Sequence, residues 1–230
     1  MAIDALVFDK DGTLFDFAAT WGTFGRTALE RLSDGDMRLA SELGRAIGFD
    51  LAQESYEPDS VVIAGTVDEV AGALKPHLPE LSLEQLVETL NRASAEARQI
   101  PAVPLAPFLD ELRQAGLKLG VATNDAEMPA LQHLHSVGVR DHFDFVAGYD
   151  SGHGYKPGPG QLLAFARHVE VEPSCIAMVG DSLHDLEAGR AAGMATIGVL
   201  TGMATAETLE PLADVVLPDI GHIPGWLSKA

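Results

Sequence analysis

The stretch Ala5-Leu6-Val7-Phe8-Asp9-Lys10-Asp11-Gly12-Thr13-Leu14 decides the fold. Four apolar residues run without a break into a carboxylate, and Asp11-Gly12 follows at once as a turn signal. A strand with one wet face would alternate polar and apolar residues. An unbroken apolar run is the pattern of a strand buried on both faces, as in a parallel sheet. The strand is expected over Ala2–Phe8, with Asp9 and Asp11 at its carboxyl end.

Downstream of this strand the texture changes. From Ala18 to Arg98 the apolar residues Leu29, Leu32, Leu39, Leu43 and Ile47 recur at helical spacing. Thr66–Leu78 and Ser82–Ile100 read as two further helices, the second with a capping-box pattern in Ser82 and Gln85 and an acidic first turn in Glu84. No strand is expected in this stretch. Pro101, Pro104 and Pro107 then punctuate the chain. Beyond them helix and strand patterns alternate: helix Phe108–Ala115, strand Leu117–Ala122, helix Ala126–Val137, strand Phe143–Ala147, helix Pro159–Val169, strand Cys175–Val179 and helix Leu183–Ala192. Ala195–Val199 and Asp214–Val216 complete the strands, with a helix near Ala206–Leu212 between them. Such alternation with short connections specifies an α/β fold, a parallel sheet with helices on both faces. Residues 1–17 and 101–230 then form the core, and 18–100 a helical insertion after the first strand.

Composition narrows the function. The chain has 230 residues and a formal charge of −19, from 15 Lys plus Arg against 34 Asp plus Glu. That field repels nucleic acid and anionic membranes, so neither is expected as a partner. It also repels a phosphorylated small molecule, so any anion site must be locally positive. No apolar run approaches the ~18 residues of a membrane span, and Met1–Phe8 lacks the basic head and cleavage site of a signal peptide. Cys175, the one cysteine, cannot form an internal disulfide, and a reducing, cytoplasmic setting is expected. It reads as a buried strand residue.

The chemistry collects at strand ends, where open α/β sheets bind ligands. One strand ends in Asp9-Lys10-Asp11-Gly12-Thr13, a second in Thr123-Asn124, and a third in Gly180-Asp181-Ser182 with Asp185 one turn on. Lys156-Pro157 lies in a glycine-rich loop. Several carboxylates at one edge repel one another, and a hard divalent cation such as Mg²⁺ would relieve this; Mn²⁺ has the same preference for oxygen. Asp9 and Asp181 are suitable ligands. One carboxylate can then attack phosphorus, a second two residues away can move protons, and Lys156 and Thr123 can hold phosphoryl oxygens.

Phe8-Asp9-Lys10-Asp11-Gly12-Thr13-Leu14 resembles the first motif of the haloacid dehalogenase superfamily. Ala122-Thr123-Asn124 resembles its second, Lys156-Pro157 its third and Gly180–Asp185 its fourth, in the family's order. The resemblance implies a Rossmann-like core, with the insertion as a C1-type cap hinged near Asp16–Ala19 and Pro101–Pro107. It implies Asp9 as nucleophile and Mg²⁺ ligand, and Asp11 as general acid and base lending its backbone carbonyl to the metal. Thr123, Asn124 and Lys156 would hold the phosphoryl group. Asp181 would ligate Mg²⁺, with Gly12, Ser182 and Asp185 in support. Lys10 occupies a variable position there and has no assigned role. Members that cleave carbon–halogen bonds lack the second acid, so Asp11 argues for phosphate chemistry. The pattern is most similar to phosphoglycolate phosphatases, for which Arg26, Arg45, Lys75, Arg92 and Arg98 are candidate partners of a substrate carboxylate.

Two other activities use the same residue types. A phosphotransferase or mutase on sugar phosphates would share the core and differ in the insertion. A receiver-like phosphoacceptor also combines acids, a hydroxyl and a lysine, but it is about half this long. Among the eight histidines, His133 and His135 do not share a helix face, and none fits a zinc pattern. Trp21, Phe24 and Phe49 are expected mainly as core of the insertion.

Overall fold

A computed structural model describes residues 3–228. The strand expected from Ala2 therefore begins partly outside the described residues, and it is seen as β1, Ala5–Phe8. Its alternation places Leu6 and Phe8 in one hydrophobic cluster and Ala5 and Val7 in another, with all four side chains inaccessible to solvent. Burial on both faces is why the sequence shows no polar alternation here. Each such large side chain contributes roughly 1.5–3 kcal/mol.

Helices α1 (Phe17–Leu32) and α2 (Met37–Ala46) follow, then a short hairpin of β2 (Phe49–Asp50) and β3 (Ser55–Tyr56). Next come α3 (Val61–Ala64), α4 (Val67–Leu74) and α5 (Leu83–Ala95). The hairpin corrects the expectation that this stretch has no strand. Asp50 Oδ1 accepts hydrogen bonds from the Ala52 and Gln53 amides, and Glu54 adopts a left-handed φ of 52°, so the loop turns the chain without glycine or proline. The capping boxes of α4 (Thr66 with Glu69) and α5 (Ser82 with Gln85) are both formed. Both helices end earlier than expected. These elements enclose a cluster of their own, with Leu29, Leu43, Leu74, Leu78 and Leu86 at its centre.

The rest of the chain alternates: α6 (Leu105–Gln114), β4 (Lys118–Ala122), α7 (Glu127–Ser136), β5 (Phe145–Ala147), α8 (Gly160–Val169), β6 (Ile176–Gly180), α9 (Leu183–Ala192), β7 (Ala195–Val199), α10 (Ala206–Leu209), β8 (Val215–Leu217) and α11 (Ile223–Leu227). Helix α6 begins before Pro107, because a proline in a first turn loses only an amide with no helical partner. Cys175 was expected in β6. It lies instead in a short 3₁₀ turn before the strand, half-buried, its amide donating to Glu172 O.

Six strands form a wholly parallel sheet in the order β5-β4-β1-β6-β7-β8. Side chains of α6, α7 and α11 pack on the face of Leu6 and Phe8, and those of α8 and α9 on the face of Ala5 and Val7. The chain builds outward from β1 to β5, then returns to β6 on the other side. The direction of growth reverses between β1 and β6, and a crevice opens there at the strands' carboxyl ends. Asp9 and Asp181 stand at those two ends. The connections into and out of the inserted elements run side by side: Asp16 N donates to Ile100 O at 2.9 Å, Ala102 N donates to Leu14 O at 3.0 Å, and Phe15 bridges Pro101. Among the described residues no helix is long and apolar enough to cross a membrane.

Candidate active site

After Phe8 the chain folds into a tight turn, with the Leu14 and Phe15 amides donating to Lys10 O and Gly12 N to Phe15 O. Gly12 has φ of 79°, and a Cβ there would lie 2.4 Å from Asp181 Oδ2. Only glycine lets the first loop approach the third so closely. Thr13 Oγ1 donates to Asp181 Oδ1 at 3.2 Å, tying the same loops together.

Lys156 is the positive centre. Its Nζ, almost wholly buried, lies 2.5 Å from Asp9 Oδ1 and 2.7 Å from Asp185 Oδ1. Burial alone would lower its pKa, but the charges of Asp185 and Asp9 outweigh that and raise it. Asp185 Oδ2 accepts from the amide and hydroxyl of Ser182, the residue that caps α9. Burial pushes the Asp9 carboxyl up to about 7; Lys156 opposes this, and Asp185 and Asp11 reinforce it. Asp181 is raised as well, through burial first and then repulsion from Asp185 and Asp9. Oxygens of Asp9, Asp181 and Asp185 all lie within 4.8 Å of one another. Buried, mutually repelled and all oxygen, this donor set fits a hard divalent cation.

Asn124 departs from the role expected of it. Its Nδ2 donates to Ala64 O and Lys156 O, and its Oδ1 accepts from Lys156 N. Both amide hydrogens are committed, so Asn124 fixes the Lys156 backbone and touches the inserted helices. Thr123, buried, lines the same site, its Oγ1 accepting from the Asp125 amide and its carbonyl from Gln161 Nε2.

Asp11 faces a second cation. Lys10, given no role on sequence grounds, is wholly inaccessible to solvent. Its Nζ lies 2.5 Å from Asp11 Oδ2, 3.3 Å from Asp125 Oδ2 and 3.0 Å from His133 Nδ1. An ammonium has three hydrogens and accepts none, so His133 Nδ1 accepts and its Nε2 donates to Ser94 O at 2.7 Å. Burial, and then the charge of Lys10, lower the His133 pKa and hold the ring neutral. Trp21 Nε1, from α1, donates to Asp11 Oδ1 at 2.8 Å. Asp11 is thus gripped from the core by Lys10 and from the inserted helices by Trp21. Lys10 lies just past the end of β1, in the tight turn, where no strand or helix period shows that its side chain is buried. Asp11 is its neighbour in the chain, but no local pattern marks its other partners, Asp125 and His133, which lie more than a hundred residues away.

Asp9, Asp11, Thr123, Asn124, Lys156, Asp181, Ser182 and Asp185 line one cavity of about 90 Å³, closed over by the inserted elements. Trp21 and Phe24 line it too, whereas Phe49 stays in the inserted core. None of Arg26, Arg45, Lys75, Arg92 or Arg98 reaches it. Arg26 pairs with Glu30 and Glu54, Arg92 with Glu88, and Lys75 donates to Pro79 O and Leu81 O.

A parallel sheet with carboxylates and a lysine converging at its point of reversal is the frame of an enzyme for phosphoryl chemistry. The model of the haloacid dehalogenase-like hydrolases matches residues 3–193. A phosphoglycolate phosphatase of Nitrosospira multiformis is 30% identical, the match covering 100% of this chain and 98% of that one. One from Chromobacterium violaceum is 31% identical over 96% and 95% of the two chains. Among solved structures, a predicted phosphoglycolate phosphatase from Haemophilus somnus superposes with a TM-score of 0.75 at 20% identity, covering 97% of each chain. A β-phosphoglucomutase of Clostridium difficile gives 0.65 at 19%, covering 99% and 98%. The chain belongs to the haloacid dehalogenase-like hydrolase family. Within it, the chain is a phosphoric monoester hydrolase similar to the phosphoglycolate phosphatases.

Proposed function

We propose that this protein is a Mg²⁺-dependent phosphatase that hydrolyses a small phosphorylated metabolite through an aspartyl-phosphate on Asp9. The convergence of Asp9, Lys156 and Thr123 at the floor of the cavity, with Asp11 beside them, carries the proposal. Asp9 Oδ attacks phosphorus as the ester oxygen leaves, and Asp11 protonates that oxygen. Water then attacks the acyl phosphate, Asp11 takes its proton, and inorganic phosphate departs with Asp9 restored. Lys156 and Thr123 hold phosphoryl oxygens, and Asn124 and Asp185 hold Lys156 in place. Bound by Asp9 and Asp181 with Asp185 in support, Mg²⁺ would neutralise charge on the phosphoryl group.

The inserted elements act as a cap that excludes water, moving on the paired connections at Asp16 and Pro101. Trp21 would engage Asp11 only when the cap is closed. The name of the curated relatives makes 2-phosphoglycolate the first compound to test. A mutase acting on hexose phosphates would need a cap face rich in groups for sugar hydroxyls, and the face here is largely apolar.

Phosphate release from a panel of phosphorylated metabolites, with Mg²⁺, with chelator and with Asp9→Asn, tests the proposal. Release that requires both metal and Asp9 supports it. Release that persists in Asp9→Asn refutes the covalent route.

A further inference from the structure

Opposite the acidic floor, the roof of the cavity is made by Trp21, Phe24, Tyr56, Ile63, Val67 and Leu90. No arginine or lysine of the inserted elements is part of it. Lys156, on the floor, is held between Asp9 and Asp185. His184, the one histidine in the lining, has Nδ1 on Ala64 O at 3.2 Å. A carboxylate on the substrate would therefore meet five aspartates and, among the described residues, no unpaired side-chain cation, and burying it unpaired is costly. A sugar would meet the opposite shortage, many hydroxyls against few partners. Two polar atoms in this wall are buried without any hydrogen bond, Tyr56 Oη and Asn91 Oδ1. Tyr56 is only 6% exposed and its hydroxyl is raised by burial, so it stays a neutral donor.

We infer that the phosphoester this site is built for carries an uncharged, largely apolar organic group with at most one or two neutral polar atoms. The inference rests on the phosphatase activity proposed above and names the substrate class of that same site. The apolar group packs under the aromatic roof, and a hydroxyl or carbonyl on it satisfies Tyr56 or Asn91. Apolar contact here acts on binding with a graded response: each buried methylene is worth about fourfold in affinity.

The test separates the organic group from the chemistry. The Mg²⁺-loaded protein is titrated calorimetrically with ethyl-, propyl- and butylphosphonate, and with phosphonoacetate as the carboxylate counterpart. In parallel, phosphate release is measured from butyl phosphate, 2-phosphoglycolate and glucose 6-phosphate. Affinity is expected to rise about fourfold per methylene, with butylphosphonate at least about tenfold tighter than phosphonoacetate. Butyl phosphate should show the highest kcat/KM. Asn91→Arg, which supplies the missing cation at a half-buried position, should strengthen phosphonoacetate binding. A flat alkyl series, phosphonoacetate binding as tightly as butylphosphonate, or no binding of any phosphonate overturns the inference. Phosphonates that bind in the expected order without release from any ester would sink the phosphatase proposal alone. Release with 2-phosphoglycolate preferred would leave that proposal standing and remove this one.

Discussion

Replacing Lys10 with methionine keeps the length and apolar stem of the side chain and deletes its charge. The ammonium forms ion pairs with Asp11 and Asp125 and donates to His133 Nδ1. Without it, two carboxylates share a nearly dry pocket with no counter-charge, and His133 Nδ1 loses its donor. Removing one partner of a buried ion pair typically costs about 3–5 kcal/mol, most of it the penalty on the charge left behind. For a chain of this size each kcal/mol lowers Tm by roughly 2–4 °C, so Lys10→Met should melt about 10 °C below the parent. Thermal unfolding followed by circular dichroism, at fixed Mg²⁺ and pH, measures this. Adding Asp125→Asn should return part of the loss, with a coupling of about 1–3 kcal/mol, because the orphaned charge is then gone. A Lys10→Met protein melting within about 2 °C of the parent would show that the ammonium is not a structural counter-ion, and the account of Asp11 would fall with it.

Asp181→Asn should raise the Tm of the metal-free protein at pH 8 while abolishing its response to Mg²⁺, since it removes one of several repelling carboxylates; differential scanning fluorimetry with and without metal decides. The folded value of Asp9 lies above its ordinary 3.8, at about 7, so its contribution to metal-free stability is fully present below about 4 and lost as pH rises through about 7. Added Mg²⁺ should accordingly raise Tm more at pH 8 than at pH 5.5, and an equal gain at both would contradict the repulsion described here. Trp21→Phe removes one hydrogen bond to Asp11 and should lower kcat by roughly tenfold in steady-state assays; an unchanged kcat would mean that this contact does not serve the proton-transfer step. Gly12→Ala places a methyl against Asp181 at a positive φ and should abolish turnover and destabilise the fold by roughly 1–3 kcal/mol, read by urea denaturation.

The sheet was legible because β1 and the segments after Pro107 state their period locally. Turn glycines and apolar runs fix those elements without distant help, and the strand ends delivered Asp9, Asp11, Thr123 and Asp181 to one place, with Lys156 reaching them from a loop. Asp185 reads from the same motif. What failed to read was tertiary. Lys10 looks like any exposed lysine until Asp125 and His133, more than a hundred residues on, are folded against it. Asn124 looks like an anion ligand until Ala64 and Lys156 claim its amide. The β2–β3 hairpin escaped because two-residue strands have no period to detect. The roof of the cavity was missed for a related reason: the amphipathic helices of the insertion bury apolar residues both in their own core and over the site, and spacing alone does not separate the two.

The inserted helices leave the sheet and return to it through two adjacent strands of chain, clasped at Phe15 and Pro101. Covalently this is a stalk with a single foot. A module exchanged on such a stalk would leave the strands of the sheet joined as they are, and would give up the contacts of Trp21 with Asp11, Ser94 with His133 and Ala64 with Asn124. Duplicated genes that exchange the module would therefore inherit the catalytic carboxylates and have to rebuild those three contacts. A protein engineer can do the same, grafting at residues 16 and 101 a foreign insertion chosen for its inner surface.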